Sequence, residues 1–374
     1  MKLTIKQNIL IEHLNNVIKG VSSKNLIPIL NCIKFELKSE GLYLMSTDNE
    51  IAIKSFIPKS EITDLNTCGD IVIPGRYIYD IVKKLPNKDI NIEEVLDSKV
   101  FISNDTASFT LNCNKVDEFP NLELEDNKNP IKINKKVFKA IISQTNFATS
   151  TQESRPILTG INFKINENIM ECTATDSYRL AKKKIMLQEK IENNIDITIP
   201  NKNLNELVKL INEDEEELLE MHIFNNKVIF KFDNIVFMTR LINGSYPDTS
   251  KLIPNEFMLN IKVNLNEFYG SLDRASLFSN EDEKNTIKLE SSENEIKLLS
   301  NIPEIGNVEE LVFCKKNNNE NIKIAFSSKY MMDAIKSINS EEIELMFNGD
   351  VKPIIVKNSE SDDLIQLILP IRTY

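Results

Sequence analysis

Apolar positions along this chain recur in two rhythms, and the order of the rhythms repeats. LTIKQNILIEHLNNVIKGVS (residues 3–22), IKINKKVFKAIISQTNFATS (131–150) and LNIKVNLNEFYGSLDRASLF (259–278) each open with a short alternation of apolar and polar residues. Each then passes into helical spacing. Their first residues, Leu3, Ile131 and Leu259, are equally spaced along the chain. A second set, IVIPGRYIYDIVKKLP (71–86), ITIPNKNLNELVKLIN (197–212) and IAFSSKYMMDAIKSIN (324–339), returns at almost the same spacing. Here Ile78, Ile81 and Val82, and likewise Leu204, Leu207 and Val208, mark an apolar helix face. Pro74, Pro200 and Ser327 stand where a helix starts. A third set supplies alternating strands: IKFELKSEGLYLMSTD (33–48), INFKINENIMECTATD (161–176) and IKLESSENEIKLLS (287–300).

Three motif types recurring in one order at a domain-sized period predict three tandem copies of one α+β domain. The boundaries fall at 1–125, 126–252 and 253–374. Each copy holds two helices, each preceded by a strand, with further strands between them.

Composition narrows the function more by exclusion than by signal. No apolar run reaches 18 residues and no secretory signal pattern is present, which predicts a soluble, intracellular protein. Cys32, Cys68, Cys113, Cys172 and Cys314 are odd in number and lack CxxC spacing, against a disulfide frame or a zinc site. His13 reads as a helix residue and His222 as a strand residue, each packed rather than catalytic. TDNE (47–50) and TATD (173–176) lack calcium-loop spacing, and no P-loop, GxGxxG or HExxH occurs. The chain is therefore expected to be non-catalytic, without metal or cofactor. There is no tryptophan, so stacking on nucleobases would fall to Tyr or Phe.

Charge changes this picture. The net charge of −11 argues against nucleic-acid binding only if it is spread evenly. The six strand-helix stretches together carry +9, which leaves −20 on the remainder of the chain. An acidic run, EDEEELLE (213–220), contributes to the second figure. Each member of the second set also puts a cation at the helix start: Arg76, Lys202 and Lys329. That end carries the positive pole of the macrodipole, so a cation there is disfavoured by roughly 0.3–1 kcal/mol. A choice against the dipole made three times points to another use. A positive lining suits a polyanion held by its phosphates, with affinity but no base readout.

At these residues the chain resembles the bacterial replicative sliding clamp, the beta subunit of DNA polymerase III. The resemblance runs the full length through LIPIL (26–30), STDNE (46–50), DEFPN (117–121), TQESRPILTGI (151–161), ATDSYRLA (174–181), TIPNKNL (198–204), NGSYPD (243–248), NIPEIGNVEE (301–310) and LILPIRTY (367–374). It implies three clamp domains per chain, each of two helices and two small antiparallel sheets. Two chains pair head to tail in a ring, with helices lining the hole and sheets outside. Such a homodimer encircles duplex DNA without sequence preference and confers processivity by tethering the replicative polymerase. A separate clamp loader opens it. Repair polymerases, ligase and mismatch-repair proteins are further partners, and no membrane is involved. The implied setting is the cytoplasm, in association with the nucleoid.

The resemblance also carries over three groups of residues. Lys24, Arg76, Gln152 and Lys202 fall at or beside DNA-contacting positions; Lys329 joins them through the repeat, and Arg274 is a separate addition. Lys135, Lys136 and Lys139 are added on charge alone. A pocket for short apolar peptides takes Arg155 and Leu158 from TQESRPILTGI, and Thr175, Tyr178, Arg179 and Leu180 from ATDSYRLA. It adds Pro247, Leu252, Tyr330, Val351 and Pro353, then Leu369, Pro370, Ile371 and Arg372 from the C-terminal segment. The dimer seam takes Leu277 and Phe278 on one side, and Phe109 and Leu111 on the other. The competing reading is a repeat-built protein-interaction scaffold that encircles no DNA.

Overall fold

The computed structural model describes residues 1–22, 26–95, 98–126, 129–212, 217–279 and 285–372. The six expected helices are present: α1 (Gln7–Val17), α2 (Gly75–Lys84), α3 (Lys135–Thr145), α4 (Asn201–Val208), α5 (Leu265–Ser276) and α6 (Ser328–Lys336). Each follows directly on a strand. Pro74 and Ser327 occupy the N-cap positions of α2 and α6, and Pro200 immediately precedes α4. Asn264 caps α5 by accepting from the Glu267 N–H at 3.0 Å, satisfying a donor the helix cannot.

Chain contacts divide the molecule into two compact units, residues 1–136 with 202–241 and residues 137–201 with 242–374. These are not the sequence repeats, and strand pairing explains why. In the first unit an eight-stranded antiparallel sheet runs Ile131–Asn134, Leu218–Ile223, Lys227–Phe232, Ile235–Arg240, Ile51–Pro58, Gly41–Thr47, Cys32–Lys38, Gly69–Pro74. Four strands come from each of two repeats. They join where Phe237 pairs with Ile53 and Thr239 with Ile51. A five-stranded sheet runs Ile62–Thr67, Lys2–Lys6, Asp89–Val95, Lys99–Ser103, Ser108–Asn112. The second unit holds ten strands in the order Gly160–Thr175, Arg179–Pro200, Leu364–Ile368, Ile354–Asn358, Glu342–Phe347, Leu259–Asn264, Gly306–Lys316, Glu295–Ile302, Thr286–Ser291, Lys323–Ser327. Its inter-repeat join pairs Arg179 with Ile368 and Leu180 with Leu367. Each join satisfies two strand edges that a solitary domain would leave open.

The alternation seen in the sequence decides which face is buried. In Cys32–Lys38, Ile33, Phe35 and Leu37 are shielded from solvent, while Lys34 turns out to meet Asp70 at 3.1 Å. Leu10, Leu14 and Val17 of α1 are buried on one helix face. In the second unit Phe268 and Leu272 of α5 share a core with Met331 and Ile335 of α6 and with Leu259, Ile261 and Leu345 of the sheet. Both histidines pack as expected. His13 is buried with its Nδ1 2.8 Å from Ser55 Oγ, and His222 is buried in Leu218–Ile223.

Candidate functional site

Arg76, Lys202 and Lys329 are each the second residue of their helix, and all three are exposed. None has an ion-pair partner among the described residues. An uncommitted cation beside unsatisfied helix N–H groups attracts an anion twice over, through its own charge and through the dipole it opposes. The other basic candidates differ. Arg274 is already matched: its Nε donates to Glu310 Oε1 at 2.9 Å and its Nη2 to Glu310 Oε2 at 2.6 Å. The pairing, chiefly through these hydrogen bonds, raises the Arg274 pKa and lowers that of Glu310.

Lys135 is a correction. It is shielded from solvent and ion-paired with Glu217 and Asp233, so its charge is spent inside the fold and offers nothing to DNA. Lys136 is exposed and Lys139 half-buried. Gln152 is exposed, on a segment whose backbone N–H donates to Ser150 Oγ at 3.0 Å. Lys24 lies outside the described residues, as do residues 213–216 of the acidic run and Thr373 and Tyr374.

All the peptide-pocket candidates belong to the second unit, and its chain turns bring most of them together. The nucleus is the turn Thr175–Arg179. Thr175 Oγ1 donates to the Arg179 carbonyl at 2.6 Å and accepts from the Ser177 N–H at 3.1 Å. Asp176 Oδ1 accepts from the N–H groups of Tyr178 and Arg179 at 2.9 and 3.0 Å. Ser177 takes φ = 78°, the left-handed conformation such a turn needs. This presents Tyr178 to solvent, 55% exposed, while Leu180 is buried.

The C-terminal segment lies alongside. The Leu369 N–H donates to the Tyr178 carbonyl at 2.9 Å, and the Ile371 N–H to the Ala325 carbonyl at 2.7 Å. Tyr330 comes from α6, and the Arg179 guanidinium sits 4.4 Å from its ring centroid. Burial, followed by the nearby Asp176 charge, raises the Tyr330 pKa. Leu158, in the short 3-10 turn Pro156–Thr159, is buried and its carbonyl accepts from the Ser150 N–H. Leu252, Val351 and Leu369 remain 47, 57 and 37% exposed. Pro247 is exposed and Pro353, Pro370 and Ile371 are half-buried. Leu180, Met346, Ile355 and Leu367 form a buried apolar cluster against which Ile253 and Phe257 pack. Arg155 and Arg372 are exposed cations with no ion-pair partner among the described residues. Exposed apolar side chains can take up hydrophobic residues of a short peptide.

The seam candidates lie on, or beside, open strand edges. Phe109 and Leu111 are half-buried on Ser108–Asn112, the last strand of the five-stranded sheet. Leu277 follows α5 at 75% exposure, and Phe278 is held in place by its carbonyl, which accepts from Ser300 Oγ at 2.6 Å. Beside them, Gly306–Lys316 pairs with Leu259–Asn264 only from Cys314 to Lys316, so residues 306–313 leave an edge open. Sequence reasoning missed Ile305, Leu311 and Phe313, which are 72, 56 and 80% exposed. The signal was available: two apolar residues at outward positions of an alternating strand.

Models of the DNA polymerase III beta subunit match this chain in three consecutive pieces. The N-terminal domain covers residues 1–123, the central domain 132–248 and the C-terminal domain 250–372. The chain belongs to the DNA polymerase III beta subunit family. Similar members of this beta subunit family include the beta sliding clamps of Staphylococcus epidermidis and Staphylococcus aureus, each 41% identical over 378 aligned residues that span 100% of both chains. Among solved structures, the DNA polymerase sliding clamp from Bacillus subtilis is similar at 39% identity and a TM-score of 0.96, with 100% of both chains covered. The DNA polymerase III beta chain from Streptococcus pneumoniae is similar at 32% identity and a TM-score of 0.95, again over 100% of both.

Proposed function

We propose that this chain is a DNA sliding clamp: two copies close head to tail into a ring that encircles duplex DNA and supplies no chemistry of its own. The observation that carries this reading is the uncommitted cation at the second residue of the second helix, repeated three times in a chain that beta-subunit models match from end to end. Phosphates held without base contacts allow sliding. The three domains are 1–125, 126–252 and 253–374, and the DNA-facing set is Arg76, Lys202 and Lys329, with Lys24, Gln152 and Lys136 beside it.

The internal joins support ring closure. Ile235–Arg240 of the second repeat pairs with Ile51–Pro58 of the first, and Leu364–Ile368 of the third with Arg179–Pro200 of the second. By the same succession, Ser108–Asn112 of the first repeat seeks Gly306–Lys316 of a third. Both strands carry an edge left open within the chain, so the join closes between chains, with Phe109 and Leu111 meeting Leu277 and Phe278. A second copy repeats the contact, so both seams of the two-chain ring pair their open edges.

In this reading the cleft around the Thr175–Arg179 turn docks apolar peptides from the replicative polymerase, the clamp loader, repair polymerases, ligase and mismatch-repair proteins. The protein works at the nucleoid, in the cytoplasm. Among the described residues no helix is long and apolar enough to cross a membrane. The test is topological. Once loaded on circular DNA, the protein stays bound until the circle is cut and then runs off. Equal retention on circular and linear DNA would instead indicate a protein-interaction scaffold.

A further inference from the structure

Arg179 stands in the peptide cleft with its charge already answered twice. Its Nε donates to Asp176 Oδ2 at 3.0 Å and its Nη1 to Asp333 Oδ2, on α6, at 2.7 Å. The guanidinium is 4.4 Å from the Tyr330 ring centroid and 5.4 Å from that of Phe147. Its side chain is only 11% exposed, while the Asp333 carboxylate is 32% exposed. Two carboxylates around one guanidinium leave a local excess of one negative charge.

The fold does not require this cluster, because the first unit builds the same turn without it. Thr47 Oγ1 donates to the Ile51 carbonyl, and Asp48 Oδ1 accepts from the N–H groups of Glu50 and Ile51 at 2.9 and 2.8 Å. Asn49 takes φ = 76° where Ser177 takes 78°. Ile51, 3% exposed, stands where Arg179 stands. On α4, Asn203 replaces Tyr330 and donates to Thr239 Oγ1 at 2.8 Å. Glu206 replaces Asp333 and pairs with Lys209 of its own helix at 2.7 Å. The turn is thus common scaffold, and the Asp333–Arg179–Tyr330 cluster belongs to the copy that bears the cleft.

We infer that Asp333 is a positioning residue that, together with Asp176, holds Arg179 over the Tyr330 ring and more than offsets its charge, so that this wall takes apolar peptide side chains and disfavours acidic ones. The inference rests on the peptide-cleft reading above. A bare guanidinium on the wall would attract acids, whereas a neutralised one offers a flat, weakly hydrated surface. An acidic peptide residue is steered instead to Arg155 and Arg372, the exposed cations.

The test uses the full chain and fluorescein-labelled nonapeptides carrying a central Leu-Leu pair, flanked on either side by Asn or by Asp. Fluorescence anisotropy gives each Kd for wild type, Asp333→Asn and Asp333→Glu. Asp333→Asn is expected to improve the ratio of acidic to neutral peptide binding about two- to fivefold, the range for one partly exposed charge pair. The gain disappears near 1 M salt, where screening acts within about 3 Å, and Asp333→Glu restores the wild-type ratio. Equal shifts for both peptides, or a gain that ignores salt, would overturn the inference and leave the cleft standing. If the neutral peptide fails to bind wild type, or binds Tyr330→Ala undiminished, the cleft reading falls and this inference with it.

Discussion

The three helix-start cations permit a quantitative test of the clamp reading. The perturbation is the triple variant Arg76→Ala, Lys202→Ala, Lys329→Ala. All three side chains are exposed and lie at helix starts, so their removal leaves the core untouched and removes a charge the dipole opposes. Each phosphate contact contributes about 0.9 to the slope of log K against log salt, so three lost contacts on each of the two chains of the ring flatten that slope by about 5.4. Between 50 and 200 mM salt, a fourfold range, this corresponds to about 2,000-fold less weakening of DNA binding. The assay is anisotropy of a labelled 20-base-pair duplex titrated at four salt concentrations, scored as a slope. Two controls sharpen it. Arg274→Ala leaves the slope nearly unchanged because Glu310 already holds that guanidinium. A variant at Lys135 does likewise, because that ammonium is enclosed by Glu217 and Asp233. A triple variant with wild-type slope, or an Arg274 variant that loses as much slope as Arg76→Ala, would refute the assignment of these cations to phosphate.

Phe278→Ala is expected to raise the dimer dissociation constant by about 10- to 100-fold, since losing one buried large side chain costs about 1.5–3 kcal/mol; sedimentation at nanomolar concentration measures it. Gly20→Ala should destabilise the first unit by about 1–3 kcal/mol in urea unfolding, because a Cβ there runs into Ser46 Oγ; adding Ser46→Ala should recover part of the loss. Burial lowers the His13 pKa below its ordinary 6.5, outweighing the opposing charges of Glu12 and Glu61. The unfolded chain therefore binds the proton first, and the His13 contribution is full above pH 6.5 and is lost as pH falls below it. Unfolding midpoints at pH 7.5 and 5.5 should differ less in His13→Gln than in wild type.

Much of this architecture was legible in the linear chain because its causes are local. Helical and alternating periods depend on neighbours within a few residues, and a domain-sized repeat exposes itself whenever the same local pattern returns. The helix starts at Arg76, Lys202 and Lys329 were therefore correctly placed. The peptide cleft was another matter. Taken as residues alone, LILPIRTY is an ordinary terminal strand, and its candidates came from resemblance. Their assembly depends on strand register between segments of different repeats, such as Arg179 with Ile368.

Charge shows the division most plainly. Lys135 and Lys136 are adjacent in the sequence and alike in chemistry, yet one is enclosed and the other faces water. The difference comes from Glu217 and Asp233, 82 and 98 residues further on, brought to Lys135 by the folding of the sheet. Arg179 is likewise neutralised by Asp333, 154 residues away. Sequence by itself determined which segments become strands and helices, how many times the unit recurs and where the cations begin each second helix, because propensity and periodicity act at short range. Tertiary structure alone decided which cations remain uncommitted, which apolar residues stay on open edges and which repeat bears the cleft, because a side chain's electrostatic partners are set by chain segments that only folding brings within a few ångströms.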